Sequence, residues 1–328
     1  MEKNSRKVLV LLDLTEEQRK RLERPSLVFS YLGQRTPDLA DIEEADIIFG
    51  NPPPAMLASA RRLELLQLET AGADRYVQAG ILPAGARLAN ASGAYGLAIS
   101  EHMLAMLLCL LKKMGPYLDN MKNSQWKDLG RVKSVWGSRT LVVGMGDIGS
   151  EFARKMAALG SSVCGIKKHA GPRPPYIESL RTMDCLDEEL ARADIVACSL
   201  PETAETKGLF DAARISRMKR GAILINVGRG SLISADALCA ALSGGRLGGA
   251  CLDVAEEEPC PASSPLWKAP NLILTPHVSG GHHLPETVNR IVEIAARNME
   301  RICKGGDILN EVDCASGYRR PENRGSIE

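Results

Sequence analysis

The chain has 328 residues, enough for two domains with their own cores. Its 41 Lys and Arg against 40 Asp and Glu leave a formal charge of +1, and aromatic residues make up only 4%. Polyanion-binding surfaces carry a basic excess and single-strand binders carry stacking rings, so nucleic acid is not an expected partner.

The first segment, "MEKNSRKVLVLLDL", begins charged, but its apolar run is short, ends at Asp13 and lacks a small-residue cleavage site. It is not expected to be a targeting signal. Strand-length apolar runs "KVLVLL", "LVFSYL", "ADIIFG" and "LQLE" punctuate the first hundred residues, and a long helix is predicted from Ala98 to about Asn123. Its most apolar part, Leu104–Leu111, follows Glu101 and His102 and is too short to span a bilayer. A soluble, cytoplasmic protein without a membrane partner is therefore expected.

Between 140 and 275 come "TLVVG", "SSVCGI", "DIVACSL", "AILINV", "GACLDV" and "LILT". Continuous apolar strands separated by helices indicate parallel sheets buried on both faces. The expected fold class is α/β, with two doubly wound units. Pro285–Gly306 reads as a capped amphipathic helix with Val288, Val292, Ala295, Met299 and Ile302 on one face. It follows the last strand of the second unit, which suggests a return to the first. The tail beyond Cys314 is polar and is expected to be loosely held. The nine cysteines form no CxxC pair, and Cys198 and Cys251 lie inside apolar runs. They read as buried thiols of a reducing compartment.

"TLVVGMGDIGSEFARKMAALG" carries Gly144, Gly146 and Gly149 as G-x-G-x-x-G. The motif follows a strand and opens a helix on which Ile148, Phe152, Met156 and Leu159 share a face. Gly160 ends that helix and a second strand begins at once, which is the context a dinucleotide fingerprint requires. The glycines let the backbone approach a pyrophosphate at the positive end of the helix. At the end of the second strand an NAD site usually places Asp or Glu. Here Lys167 and Lys168 stand instead, followed by His169 and Arg173. Cations suit a 2′-phosphate, so NADP is favoured, with NAD the alternative.

Three further stretches fall at strand ends: "INVGRGSLI", "LDVAEEEPCP" and "LTPHVSGG". An Arg, an acid and a His can converge there, outside the carboxyl ends of the strands. Glycines on both sides of Arg229 are expected to give its backbone room and to let substrate approach. A guanidinium grips a carboxylate bidentately and polarises an adjacent carbonyl, and a carboxylate beside a histidine favours its charged, proton-donating form. Thr275–His283 holds three of the five histidines, but no Cys, His or Asp spacing completes a metal site, so no metal is expected.

Taken in order, "VVGMGDIG", "INVGRGSLI", "LDVAEEEP" and "LTPHVSGG" resemble the D-isomer-specific 2-hydroxyacid dehydrogenases, and the likeness runs from "TAGADRY" to the C-terminal helix. The resemblance implies a catalytic Arg229, an acid at Glu258 and a proton donor at His277, with Glu256 and Glu257 in solvent. It implies that amides around Gly72 and Ala73 receive the substrate carboxylate together with Arg229. Cofactor contacts are implied for Gly144, Gly146, Asp147, Ile148, Gly149, Lys167, Lys168, Leu200, Pro201, Val227, Gly228 and Asp253. A discontinuous substrate-binding domain (1–100 and 285–328, flavodoxin-like) around a Rossmann-type nucleotide domain (101–284) follows from the same likeness, with closure about hinges near 100 and 285. So does a homodimer through the nucleotide domain, with helix 103–111 the candidate contact. His282 and His283 are expected to face solvent or line the cleft.

The implied reaction is hydride transfer between NADPH and a small 2-keto or D-2-hydroxy acid, of glyoxylate or hydroxypyruvate type. Phosphoglycerate is disfavoured, because no regulatory domain is expected after the core and no basic cluster stands out in the first unit. Formate dehydrogenases resemble this family but carry Gln where Glu258 stands. The alternative from another class is a dinucleotide-sensing scaffold of the carboxy-terminal binding protein corepressor type. Those proteins keep the three catalytic residues, but this chain lacks long low-complexity flanks for recruiting partners.

Overall fold

The structure is a computed structural model that describes residues 5–320. The chain divides into two compact units, Met1–Tyr95 with His282–Glu328, and Gly96–Gly281. Both are built on wholly parallel sheets.

The first unit holds β1 (Arg6–Val10), β2 (Leu27–Tyr31), β3 (Ile47–Phe49), β4 (Leu65–Gln67) and β5 (Arg87–Ala89). Their order is β2-β1-β3-β4-β5, a doubly wound arrangement. Ile47, Ile48, Phe49, Leu65 and Leu66 are fully buried although successive residues face opposite sides. Both faces are covered, which is why these strands read as unbroken apolar runs. The sequence pattern misses β5, a three-residue strand that opens on Arg87. That guanidinium donates to Glu311 Oε2 at 2.7 Å.

The helix Glu16–Leu22 starts with a capping box between Thr15 and Gln18. The helix Pro285–Cys303 packs in the same unit. Gln18 Nε2 donates to Asn289 Oδ1 at 2.9 Å, and Asn298 Nδ2 donates to Gln67 Oε1 at 2.6 Å. It begins with Pro285 at its first position and has no side-chain cap, contrary to the capped start expected. Its buried surface is also wider than one stripe. Ile291, Ile294, Ala296 and Asn298 are buried as well, while Val288 is only partly covered. The helix touches both β4 and the helix Glu16–Leu22, so two sides lose solvent. The tail is better anchored than its polarity suggests. Arg319 pairs antiparallel with Val312, and Arg320 N donates to Glu311 O at 2.9 Å. Residues 321–328 of that tail lie outside the described residues.

The second unit holds β6 (Arg139–Val143), β7 (Ser162–Lys167), β8 (Ser179–Thr182), β9 (Ile195–Cys198), β10 (Ile223–Asn226), β11 (Gly249–Leu252) and β12 (Leu272–Leu274). The order is β12-β11-β10-β9-β6-β7-β8. From β6 the chain winds one way to β8, then returns to β9 and winds the other way. The switch point therefore lies between β6 and β9, where such sheets open their ligand crevice. Leu141, Val143, Val196, Cys198, Leu224 and Ala250 are buried in its core. β8 was not anticipated, because an edge strand of three half-covered residues and an exposed Arg181 shows no apolar run.

Two helix expectations need correction. The stretch from Ala98 to Asn123 is two helices, Gly96–Leu111 and Met114–Lys122. Lys113 adopts φ 57° and breaks the first. The restart places Pro116 in the first turn of the second helix, where its missing N–H costs nothing. The helix after the glycine motif ends at Ala158, so Leu159 is 41% exposed and leaves the face it was expected to share.

Candidate active site

The glycine motif occupies the turn between β6 and the helix Asp147–Ala158, and each glycine has a distinct steric reason. Gly144 has φ 104°, and a Cβ there would come within 2.9 Å of Ser199 O. A Cβ on Gly149 would lie 2.0 Å from Gly144 O, so this glycine lets helix and strand close on each other. Gly146 faces open space, and no side chain caps the helix it starts. Unsatisfied amides at an open helix N-terminus fit a pyrophosphate. Asp147 accepts the amide of Gly96 at 2.7 Å and so fixes the start of the helix Gly96–Leu111. Ile148 is partly buried beside it. Lys167 ends β7 and Lys168 follows, its ammonium 2.9 Å from Glu205.

β9, β10, β11 and β12 are consecutive neighbours, and the remaining predicted groups of this unit sit at their carboxyl ends. Leu200 and Pro201 follow β9. Val227, Gly228 and Arg229 follow β10. The glycines beside Arg229 do not provide the open backbone expected of them. A Cβ on Gly228 would meet Leu200 O at 2.5 Å, and one on Gly230 would meet Ala255 O at 1.8 Å. They let three strand ends pack together. Buried Asn226 shapes the Arg229 turn by accepting Gly228 N at 3.0 Å and donating to Arg229 O at 2.9 Å. This positioning residue was missed, although an Asn closing an apolar strand is a visible signal.

His277 Nδ1 lies 2.7 Å from Glu258 Oε2, while Glu258 Oε1 accepts the amide of Ala255 at 3.0 Å. The carboxylate is thus fixed at one oxygen and orients the ring with the other. Glu256 and Glu257 are exposed. His277 adopts φ 52°, unusual for a residue with a Cβ. Asp253, 1% exposed, imposes this conformation. Its backbone oxygen accepts His277 N at 2.8 Å, and its carboxylate accepts Thr275 Oγ1 at 2.6 Å, Val278 N at 3.0 Å and Ser279 N at 2.9 Å. The hydroxyl of Ser279 also donates to it. His102 Nε2 lies 3.0 Å from Thr275 Oγ1. Among the described residues no group of three or more His, Cys, Asp or Glu side chains is placed to hold a metal ion.

The loop Thr70–Asp74 lies in the first unit. Its carbonyls are spoken for: Thr70 O accepts Ala91 N, Ala71 O accepts Asn90 Nδ2, Gly72 O accepts Thr70 Oγ1 and Ala73 O accepts Tyr76 N, all at 2.8–2.9 Å. The amides of Gly72 and Ala73 have no acceptor among the described residues. Backbone N–H groups left open in a turn whose carbonyls are engaged suit an anion. Beside them stands Glu69, which the sequence reading overlooked. Burial pushes its carboxyl up to about 7. His282 is exposed, as expected, and its Nε2 is 3.6 Å from Glu69 Oε2. Burial, and then His283, hold His282 below its usual value.

Comparison with known proteins agrees with this architecture. The family described as D-isomer specific 2-hydroxyacid dehydrogenase, NAD binding domain, matches residues 104–279. A D-isomer specific 2-hydroxyacid dehydrogenase family protein from Aeromonas salmonicida subsp. salmonicida A449 is 32% identical, with a TM-score of 0.83 over 94% of this chain and 99% of that one. An NADPH-dependent glyoxylate/hydroxypyruvate reductase from Sinorhizobium meliloti, solved with NADP and sulfate, is 27% identical, with a TM-score of 0.80 over 95% and 100%. A D-3-phosphoglycerate dehydrogenase from Mycobacterium bovis is 29% identical over 87% of this chain, which spans only 54% of that protein. With the family match covering more than half of its length, this chain belongs to the D-isomer specific 2-hydroxyacid dehydrogenases.

Proposed function

We propose that the protein reduces a short 2-keto acid to the D-2-hydroxy acid with NADPH, and catalyses the reverse oxidation. The single observation that carries this reading is the oriented pair His277 Nδ1 and Glu258 Oε2 at 2.7 Å, on a loop locked by buried Asp253. Nε2 of the same ring is left to face a substrate oxygen. Arg229 and the amides of Gly72 and Ala73 hold the substrate carboxylate, and Arg229 also polarises the keto oxygen. His277 protonates that oxygen, and Glu258 keeps the ring in the productive tautomer. A bound nicotinamide would supply the hydride.

The residues present fit the dinucleotide. Gly144, Gly146, Ile148 and Gly149 would cradle the pyrophosphate, with Asp147 bracing the helix start. Leu200, Pro201, Val227, Gly228 and Asp253 would line the rest of the site. Lys167 and Lys168, with no carboxylate at the end of β7, favour the 2′-phosphate of NADP over NAD. The Lys168–Glu205 pair is exposed, and such pairs contribute little, so it yields readily to a phosphate. The Sinorhizobium reductase supports both the cofactor and a glyoxylate or hydroxypyruvate type of substrate.

Residues up to Tyr95 with those from His282 act as the substrate-binding domain, and Gly96–Gly281 as the nucleotide-binding domain. The second domain also carries the homodimer contact. Exposed Met114, Leu118, Met121 and Trp126 favour the helix Met114–Lys122 and the segment after it over helix 103–111. Nine unpaired cysteines support a reducing, cytoplasmic setting.

The test is a panel of glyoxylate, hydroxypyruvate and pyruvate, each with NADPH and NADH. Turnover of at least one acid, faster with NADPH and yielding the D product, is expected. No turnover with either cofactor would overturn the reading.

A further inference from the structure

We propose that Glu69, positioned by His282, reads the C3 substituent of the substrate and selects an uncharged hydrogen-bonding group over a methyl or an anionic one. This rests on the 2-keto acid reading above and narrows its substrate class.

Glu69 directly precedes the loop whose Gly72 and Ala73 amides are left open. Gly72 is three positions further along, so acid and amides lie within about 10 Å of chain. A 2-keto acid anchored by its carboxylate is small enough for its other end to remain within that span. The backbone of Glu69 is held on both sides. Its N–H donates to Asn51 Oδ1 at 3.3 Å, and its carbonyl accepts Tyr95 Oη at 2.6 Å. The side chain therefore leaves a fixed frame rather than a pliant loop.

That side chain is 20% exposed, and its carboxyl has no hydrogen bond among the described residues. His282 Nε2 lies 3.6 Å from Glu69 Oε2. Mostly buried carboxyls are normally hydrogen-bonded, so one held in place without a partner points to a ligand. The phenols of Tyr76 and Tyr95 feel its charge. Burial raises both, Tyr76 to about 12, so both stay neutral and place no second negative charge beside it.

The chemistry of such a group is selective. As a neutral acid it both donates to and accepts from a hydroxyl, whereas a methyl leaves it unsatisfied. Ionised, it repels a phosphate or a second carboxylate. Hydroxypyruvate, with a C3 hydroxymethyl group, fits; pyruvate, with a methyl there, and phosphorylated keto acids do not. Glyoxylate has no C3 and makes no use of Glu69.

The experiment compares kcat/KM for hydroxypyruvate, pyruvate and glyoxylate in wild type, Glu69→Leu and Glu69→Gln. Wild type is expected to prefer hydroxypyruvate to pyruvate by about tenfold, the worth of one good hydrogen bond. Glu69→Leu should lose that preference and cost hydroxypyruvate far more than glyoxylate, while Glu69→Gln retains most of it. His282→Leu should lower the same ratio and His282→Gln restore it, which keeps the test open should Glu69→Leu misfold. An unchanged ratio, or an equal fall for all three acids, overturns the proposal. Should no acid turn over, the 2-keto acid reading fails by itself. The selectivity is then read by calorimetric titration of the NADPH-bound protein with D-glycerate and D-lactate. A preference for D-glycerate that Glu69→Leu removes supports Glu69, and equal affinities in wild type overturn it.

Discussion

The carboxylate of Asp253 receives the amide of Ser279 at 2.9 Å from a position only 1% exposed to solvent. Through Thr275, Val278 and Ser279 the same carboxylate fixes both sides of His277. The ring is thus aimed by Glu258, but its backbone is set by a second acid that never reaches the ring. Hydrogen bonds to a buried charge contribute about 1.5–3 kcal/mol each, and an amide in this place presents a donor to donors. Asp253→Asn should therefore destabilise the protein by about 3 kcal/mol and lower kcat/KM as the φ of 52° at His277 relaxes. Urea unfolding and steady-state kinetics read the two effects. A variant with both values at wild-type level would show that the loop holds itself.

Glu258→Gln probes the aim. The carboxylate accepts from Ala255 N with one oxygen and serves His277 with the other. Glutamine has a single oxygen and cannot do both. Keto-acid reduction should fall by about 10²-fold, and His277→Gln should cost about 10³-fold or more. Added to His277→Gln, the Glu258→Gln change should have almost no further effect, because the acid acts only through the ring. Multiplying effects in the double variant would assign Glu258 a separate role.

Cofactor choice turns on the end of β7. Lys167→Asp places there the acid that suits a ribose hydroxyl and removes a cation suited to a 2′-phosphate. KM for NADPH should rise by about tenfold or more while that for NADH falls or holds, a charge-assisted contact being worth about 1.5–3 kcal/mol. An unchanged NADPH/NADH ratio removes Lys167 from the site.

The sequence made the nucleotide unit more legible than the substrate unit, for a physical reason. Strands buried on both faces write themselves as apolar runs, and Arg229, Glu258 and His277 follow such runs within a few residues. β5 and β8 are short and carry Arg87 and Arg181, so they leave no such mark. The break at Lys113 escaped because apolar residues continue through it, and one backbone angle, not composition, ends the helix. Glu69 escaped for a different reason. Its meaning lies in His282, 213 positions along the chain, and in neighbours that bury it without bonding it. Local spacing does not encode that relationship.

Such burial leaves a measurable trace in stability. An unfolded glutamate titrates near 4.3, whereas Glu69 in the fold titrates at about 7. Between those values the folded protein keeps a proton that the unfolded chain has released. Stability must then fall as pH rises, by about 1.4 kcal/mol for each unit of the gap. Glu69→Gln removes this titration while keeping shape and hydrogen-bonding capacity. Its stability relative to wild type should grow in favour of the variant, from about 1 kcal/mol at pH 5 to about 4 kcal/mol at pH 8. Tyr76 and Tyr95 remain neutral over this range, and the contribution of His282 is largely common to both proteins, so the difference isolates Glu69. Urea unfolding of both proteins at pH 5, 6.5 and 8 provides the curve. A difference that stays flat, or that shrinks as pH rises, would mean that the carboxyl is ionised in the fold at neutral pH, and the neutral acid proposed to meet the substrate hydroxyl would not exist.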